Sequence, residues 1–317
     1  MYKIAVLMDP IENLDPSKDS SVCLIEYLQK STKVFYISPN TISYRNECVV
    51  ASIAEININK RKTKFYELSK FKECDLNKMD LILYRKDPPV NDSYLNIAHI
   101  LQRLESNGTL VMNSPSSIMM MNEKILGDCY SPNRLPSLIT NNYANMKKFI
   151  DKHNDVVIKP LNLMAGKLVQ KINSKDDDLK NKLIKTQNKN QENFIILQKY
   201  IDIHKYGDMR IIIYNGKVHS RGLLRFPKKT DFRANLACGG KFYIKDVPES
   251  MLNHLKIVAG ILLSNGIYFA GIDIIEKYMT EINITSPTGL VELNNDDRDL
   301  LTKITKDFIK IIDDHKK

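Results

Sequence analysis

Residues 209–226, MRIIIYNGKVHSRGLLRF, restrict the possible folds more than any other stretch. Two runs of apolar and β-branched residues flank Asn215-Gly216, a pair suited to a two-residue turn that needs positive φ at both centres. Such a segment closes into an antiparallel hairpin. A second hairpin is expected directly downstream in IYFAGIDIIEKYMTEINITSP (267–287), with a three-residue turn at Glu276-Lys277-Tyr278. That turn brings Asp273 opposite or diagonal to Glu281. Glu281 and Asn283, two apart on a strand, project from one face.

The first third alternates strand and helix instead. IAVLMD (4–9), VFYIS (34–38), DLILYR (80–85) and TLVMN (109–113) read as strands, and residues 48–58 as one or two more. A helix opens at Asp19-Ser20, where either can cap it, and another runs from Asp92 to a stop at Asn107-Gly108. This is a βαβ-type domain ending near residue 122, with ligands expected at the carboxyl ends of its strands. The Lys- and Asn-rich middle reads as strands at DVVIKP (155–160), LVQKI (168–172) and FIILQKYI (194–201), with surface helices between them. Helices near 248–265 and 296–315 complete the chain. The fold class is therefore α/β (α+β).

Composition narrows the function. The 317 residues are 43% hydrophobic and 26% charged, as in an ordinary soluble globular protein with room for two or three domains. No apolar run approaches the roughly 18 residues of a membrane helix, and the apolar run in MYKIAVLMDP is too short for a signal peptide. Five scattered cysteines without a CxxC pair point to a reducing cytoplasm, not to disulfides or zinc. The net charge of +10 is spread along the chain, with no basic run interleaved with aromatics, so it does not read as nucleic-acid binding; it reads as a coding bias toward Lys, Asn and Ile, with anionic small substrates as a second contributor.

Four groups of residues can carry chemistry. Asp273, Glu281 and Asn283 offer three oxygen ligands without His or Cys, which suits a hard cation such as Mg²⁺; the same pattern also describes a solvated polar sheet face. Lys124 in MNEK and Lys159 at the end of DVVIKP either reach phosphates or are ordinary surface lysines. LQKYI (197–201) is either an edge strand or an extended connection whose backbone meets a purine edge. Arg210 and Arg225 on the paired strands, with Asp208 nearby and Arg233 beyond, either converge on phosphoryl or carboxylate oxygens or form cross-strand ion pairs. The chain lacks GxxxxGK[ST], HExxH, GxSxG and a GxGxxG after its first strand, so an ATP user here holds phosphates by other means.

Taken together, VLMDPIENLDPSKDSS, LILYRKDPPV, GTLVMNSPSSI, MNEK, VVIKP, LQKYI, GDMRIII, GLLRFP, RANLACGG and GIDIIEKYMTEINITSPT resemble the prokaryotic glutathione synthetase family. RKDPP and EINITSPT, in this order and spacing, are its most specific marks. The resemblance covers nearly the whole chain. It implies an ATP-grasp fold in three parts: an N-terminal pre-ATP-grasp domain (1–122), a central lid (123–200) and a C-terminal catalytic part (201–317). It also implies formation of glutathione from γ-glutamylcysteine and glycine, with ATP converted to ADP and phosphate. By motif, Lys124 and Lys159 would contact nucleotide phosphates, and Gln198, Lys199, Tyr200 and Ile201 would hold adenine. Asp208 would lie by the ribose and phosphates. Asp273, Glu281 and Asn283 would bind two Mg²⁺ (Mn²⁺ as a substitute), and Arg210 and Arg225 would stabilise the acyl phosphate and tetrahedral species. Ser20, Arg85, Arg233, Asn235, Ser286 and Thr288 would face the peptide side. A homotetramer is implied too.

Three departures stand out. The family's glycine-rich loop after KPL is here Asn162-Leu163-Met164-Ala165-Gly166, with two of three glycines replaced. The expectation is either a leucine forced to φ > 0, at about 1–2 kcal/mol, or another loop path. Lys228-Lys229-Thr230-Asp231 replaces a segment with glycine and glutamate, and Val291 stands where an arginine is usual.

Overall fold

The computed structural model describes all residues except 164–165, 188–191 and 235–238. The N-terminal part contains β1 (Lys3–Leu7), α1 (Ser20–Leu28), β2 (Lys33–Ile37), β3 (Ser43–Arg45), β4 (Cys48–Ile58), β5 (Tyr66–Leu68), β6 (Lys72–Asp75), β7 (Leu81–Tyr84), α2 (Asp92–Ser106) and β8 (Val111–Met112). Its main sheet runs β3-β4-β2-β1-β7-β8, with β5 and β6 on β4; β1, β2, β7 and β8 pair in parallel. Residues 48–58 form one strand, not two. Asp19 caps α1 by accepting from Val22 N at 2.8 Å, and Asn91 caps α2 through Tyr94 N at 3.0 Å. The chain then forms α3 (Pro115–Met120) and α4 (Glu123–Tyr130), two short helices that periodicity had not indicated.

A four-stranded antiparallel sheet follows, in the order β11 (Gln170–Ile172), β10 (Val156–Pro160), β12 (Ile195–Lys199), β9 (Ser137–Thr140). Helices α5 (Tyr143–His153) and α6 (Leu179–Thr186) supply its apolar cover through Met146, Ile150, Leu179 and Leu183. After the single-turn α7 (Ile203–Tyr206) comes a five-stranded sheet. It contains β13 (Asp208–Tyr214), β14 (Lys217–Phe226), β15 (Lys241–Asp246), β16 (Phe269–Ile275) and β17 (Tyr278–Asn283), in the order β15-β14-β13-β16-β17. The Asn215-Gly216 turn has φ of 46° and 68°, as the hairpin requires. Helix α8 (Glu249–Ser264) packs on this sheet, with α9 (Leu290–Asp296) and α10 (Leu300–His315) after it. The closing helix expected at 296–315 starts at 300, because Asp296 ends α9 and Asn294 Oδ1, in that helix, accepts from Leu301 N at 3.1 Å in the first turn of α10.

The second hairpin differs from expectation in one respect that matters for the site. Tyr278 pairs with Ile275, so the turn is two residues, with Glu276 at φ 57°. A regular ladder from that turn would set Asp273 opposite Thr280 and turn Glu281 to the other face. A β-bulge between Asp273 and Ile274 absorbs Thr280 and makes the pairs Asp273↔Glu281 and Gly271↔Asn283. Asn113, after β8, latches this hairpin to the N-terminal part. Its Nδ2 donates to the Phe269 and Ile284 carbonyls (2.6 and 2.7 Å), and its Oδ1 accepts from Tyr268 and Phe269 N (both 2.9 Å).

Candidate active site

A cavity of about 300 Å³ lies between the four-stranded sheet and the five-stranded one. Its floor is built by strands β13, β14 and β16. Asp208 pairs with Arg225 across β13–β14, and Arg210 with Asp273 across β13–β16. The Arg210 guanidinium forks onto both Asp273 oxygens at 2.5 and 2.7 Å, and its Nη1 donates to Thr288 O at 3.2 Å. Arg225 Nη2 bridges Asp208 Oδ2 (2.6 Å) and Asp273 Oδ1 (3.0 Å). All four side chains are buried. Burial pushes the Asp273 carboxyl up, but the two guanidiniums overcome that and hold it at about 2. Burial wins at Asp208: Arg225 and, less strongly, Arg210 oppose it, but Asp273 and Glu281 add repulsion, so its carboxyl is pushed up to about 6. Cross-strand ion pairing therefore holds for these arginines, and both of them meet at Asp273.

The walls come from the lid sheet and from α4. Lys159 Nζ donates to Gln198 Oε1 at 2.8 Å, and burial pushes the lysine down against the opposing charge of Glu281. Gln198 Nε2, Asp208 Oδ1 and Arg225 Nε are buried without a partner among the described residues. Each borders the cavity, and a ligand there would satisfy a polar atom that otherwise costs free energy. Lys199, Tyr200 and Ile201 continue the wall. Lys124 Nζ binds Leu161 O (3.1 Å), Leu163 O (2.8 Å) and Glu281 Oε1 (3.3 Å), so it ties the loop after β10 to β17. Leu163 is not among the residues at positive φ; Gly166 (φ 71°) and Leu168 (φ 55°) are. The loop thus takes another path at Leu163. Met164 and Ala165 lie outside the described residues, as does Asn235. Arg233 forks onto Asp231 and donates to Gly166 O at 3.2 Å, joining the 228–233 loop to the loop after β10.

Glu281 and Asn283 share one face beside Asp273, and Asn283 Nδ2 donates to Gly271 O (3.1 Å) and Asp273 Oδ2 (3.3 Å). Among the described residues no group of three His, Cys, Asp or Glu is spaced to hold a metal ion. The expected set is two carboxylates and one carboxamide, and both carboxylates carry a protein counter-cation. Ser286 and Thr288 line the cavity, whereas Arg85 and Ser20 do not. Arg85 is buried behind the wall, where it donates to Ser21 Oγ and Pro287 O, both at 3.1 Å; Ser20 Oγ accepts from Leu290 N at 3.4 Å. Val291 is also absent from the lining and packs into an apolar cluster with α1 and α10. Two charged lining residues are not among the candidates that the sequence offers, Asp87 and Glu123. Each stands inside a quoted motif, RKDPP and MNEK. Glu123 Oε1 accepts from Ile284 N, Thr285 N and Thr285 Oγ1 at 2.7–2.9 Å.

Two family models match this chain. The N-terminal domain of prokaryotic glutathione synthetase matches residues 2–119, and the ATP-grasp domain of the same enzyme matches 123–298. The chain belongs to the prokaryotic glutathione synthetase family. The glutathione synthetase of Buchnera aphidicola subsp. Schizaphis graminum is 33% identical over 309 residues, covering 97% of this chain and 96% of that one. That of Coxiella burnetii is 35% identical over 292 residues, covering 92% and 91%. Among solved structures, a D-cycloserine synthetase superposes with a TM-score of 0.67 at 11% identity, covering 98% of this chain and 99% of that one. An ATP-grasp ligase from Chryseobacterium gregarium gives 0.61 at 18%, covering 99% and 97%. These structures show the ATP-grasp fold. Like other glutathione synthetases, this one is an ATP-dependent ligase that forms glutathione. No helix among the described residues is long and apolar enough to cross a membrane.

Proposed function

We propose that the cavity joins the cysteinyl carboxylate of γ-glutamylcysteine to the amine of glycine through an acyl phosphate. The carboxylate oxygen attacks the γ-phosphorus of ATP and ADP departs. The glycine amine then attacks the acyl carbon, and phosphate leaves as the amide forms. Phosphoryl transfer is mostly a matter of positioning and charge stabilisation, and the buried Arg210–Asp273–Arg225–Asp208 floor is the observation that carries this reading. Its guanidiniums are fixed by neighbouring carboxylates, so they are aimed before substrate arrives. In this reading they stabilise the oxyanions of the acyl phosphate and the tetrahedral intermediate.

Lys124 and Lys159 would face the nucleotide phosphates. Gln198, Lys199, Tyr200 and Ile201 would hold adenine, with the partnerless Gln198 Nε2 as a ready donor. Asp208 would lie by the ribose and phosphates. Asp273, Glu281 and Asn283 form an oxygen-only donor set that fits Mg²⁺, since Asn283 keeps Oδ1 for a cation while Nδ2 is engaged. When bound, two such ions would supply neutralisation of phosphate charge; Asp273 and Glu281 have Arg210 and Lys124 as their counter-cations. Ser286, Thr288, Arg233 and Asn235 would contact the peptide side, while Arg85 and Ser20 would steady the 286–290 segment from behind, through Pro287 O and Leu290 N. The Lys124 and Arg233 bonds to the loop after β10 keep it over the cavity, which protects an acyl phosphate from water. A cytoplasmic homotetramer follows from the family resemblance. The test is ADP release with γ-glutamylcysteine and glycine: it is expected only when both are present, and ADP release indifferent to glycine would overturn the acceptor assignment.

A further inference from the structure

Five carboxylates line the cavity: Asp87, Glu123, Asp208, Asp273 and Glu281. Four have their partners inside the protein. Asp208 and Asp273 are paired with Arg225 and Arg210, Glu281 with Lys124, and Glu123 accepts the two amides and the hydroxyl at 284–285. Asp87 is different. Its Oδ1 accepts from the Ser286 hydroxyl, and among the described residues it has no ion pair. The neighbouring cation does not serve it, because Lys86 Nζ bonds to Asp9 at 2.9 Å. Arg85 is turned to Ser21 and Pro287. Burial lifts the Asp87 carboxyl above the usual range; Ser286 and Arg85 oppose this only in part, and Asp9 and Asp19 add to it. A half-buried carboxylate in this position gains most from a cation brought by the ligand.

Apart from Mg²⁺, for which Asp273, Glu281 and Asn283 form the donor set, the substrates bring a cation in one chemical form, a primary ammonium. We infer that Asp87, held by Ser286, is the docking carboxylate for a substrate ammonium group in this cavity. The inference rests on the reading given under Proposed function. Two groups share the chemistry, the α-ammonium of the γ-glutamyl residue and the ammonium of glycine. Asp87 is a specificity residue in either case, not a member of the phosphoryl-transfer floor.

The test is steady-state kinetics of the full-length protein and its Asp87→Asn variant, with ATP, glycine and either γ-glutamylcysteine or glutarylcysteine, which lacks the α-amino group. Loss of a charged hydrogen bond predicts a KM rise of about ten- to hundred-fold for one amine substrate, with the KM for ATP within about two-fold. If the dipeptide ammonium docks there, its KM rises and the wild-type preference over glutarylcysteine disappears in the variant. If glycine docks there, its KM rises and that preference persists. Either result supports Asp87. Unchanged KM values for both amines would overturn it, as would an equal rise for all three substrates, which marks a structural role. Should the Asn variant not fold, Asp87→Glu must show the same selective rise, and its absence is equally decisive. A wild type that makes no glutathione would sink the underlying function, whereas an active wild type with an indifferent variant sinks only this inference.

Discussion

Gly127→Ala separates local helix chemistry from packing. Gly127 lies within α4, where alanine ordinarily stabilises a helix by about 1 kcal/mol. Here an added Cβ would meet Glu281 N at 2.6 Å, Thr280 C at 2.7 Å and Glu281 Cα at 2.8 Å, all backbone atoms of β17. The closest is about 0.8 Å short of the 3.4 Å of ordinary contact, and no side chain can swing away to relieve it. Overpacking of this kind costs about 1–3 kcal/mol. After the propensity gain, the expected net change is a loss of roughly 1–2 kcal/mol. Helix α4 carries Glu123 and Lys124, and β17 carries Glu281, so opening the contact also displaces groups on two walls of the cavity. Misplacement near 1 Å can cost on the order of a hundred-fold in rate, and a fall in kcat of ten-fold or more is expected. Urea unfolding midpoints and ADP release measure the two effects. Gly260→Ala in α8 is the control: its Cβ would meet nothing within 4 Å, so that variant should gain roughly 0.5–1 kcal/mol. If Gly127→Ala behaves like Gly260→Ala and retains full turnover, the backbone contact between α4 and β17 does not exist.

Glu281→Gln should abolish ADP release while leaving the apparent melting temperature nearly unchanged, because the amide keeps the shape but not the charge; undiminished turnover would remove Glu281 from the metal assignment. Glu123→Ala leaves the Ile284 and Thr285 amides without their acceptor. At about 1–3 kcal/mol for each buried group, a stability loss of roughly 2–4 kcal/mol is expected by urea unfolding, and a loss below about 0.5 kcal/mol would show that the turn holds itself. High pH should destabilise the N-terminal part. Burial pushes Tyr36 up to about 12 and raises Tyr84 and Tyr94 as well. The unfolded chain releases these phenolic protons near 10 while the folded one retains them, so stability is full below pH 10 and falls as pH rises above it. A urea midpoint that stays flat from pH 8 to pH 11 would refute this.

The N-terminal alternation, both hairpins, the helix cap at Asp19 and the family motifs could be read from residue types, because each depends on neighbours in the chain. The Asn215-Gly216 turn formed as expected, since backbone conformation at those two residues dictates it. The face on which Glu281 stands was another matter. A three-residue turn would by itself pair it with Asp273, but the turn has two residues and a bulge at Thr280 supplies the extra one. Nothing in MTEINITSPT marks that bulge; α4 lies against it, and the missing Cβ of Gly127 leaves room for the Thr280–Glu281 backbone. Arg85 shows the same limit from the other side, because a guanidinium near strand ends can face a ligand or a neighbouring loop, and here Ser21 and Pro287 take it. Local propensity sets which segments become strands and turns. The partners of a buried charge are set by chain segments up to two hundred residues away, and they exist only once those segments have packed.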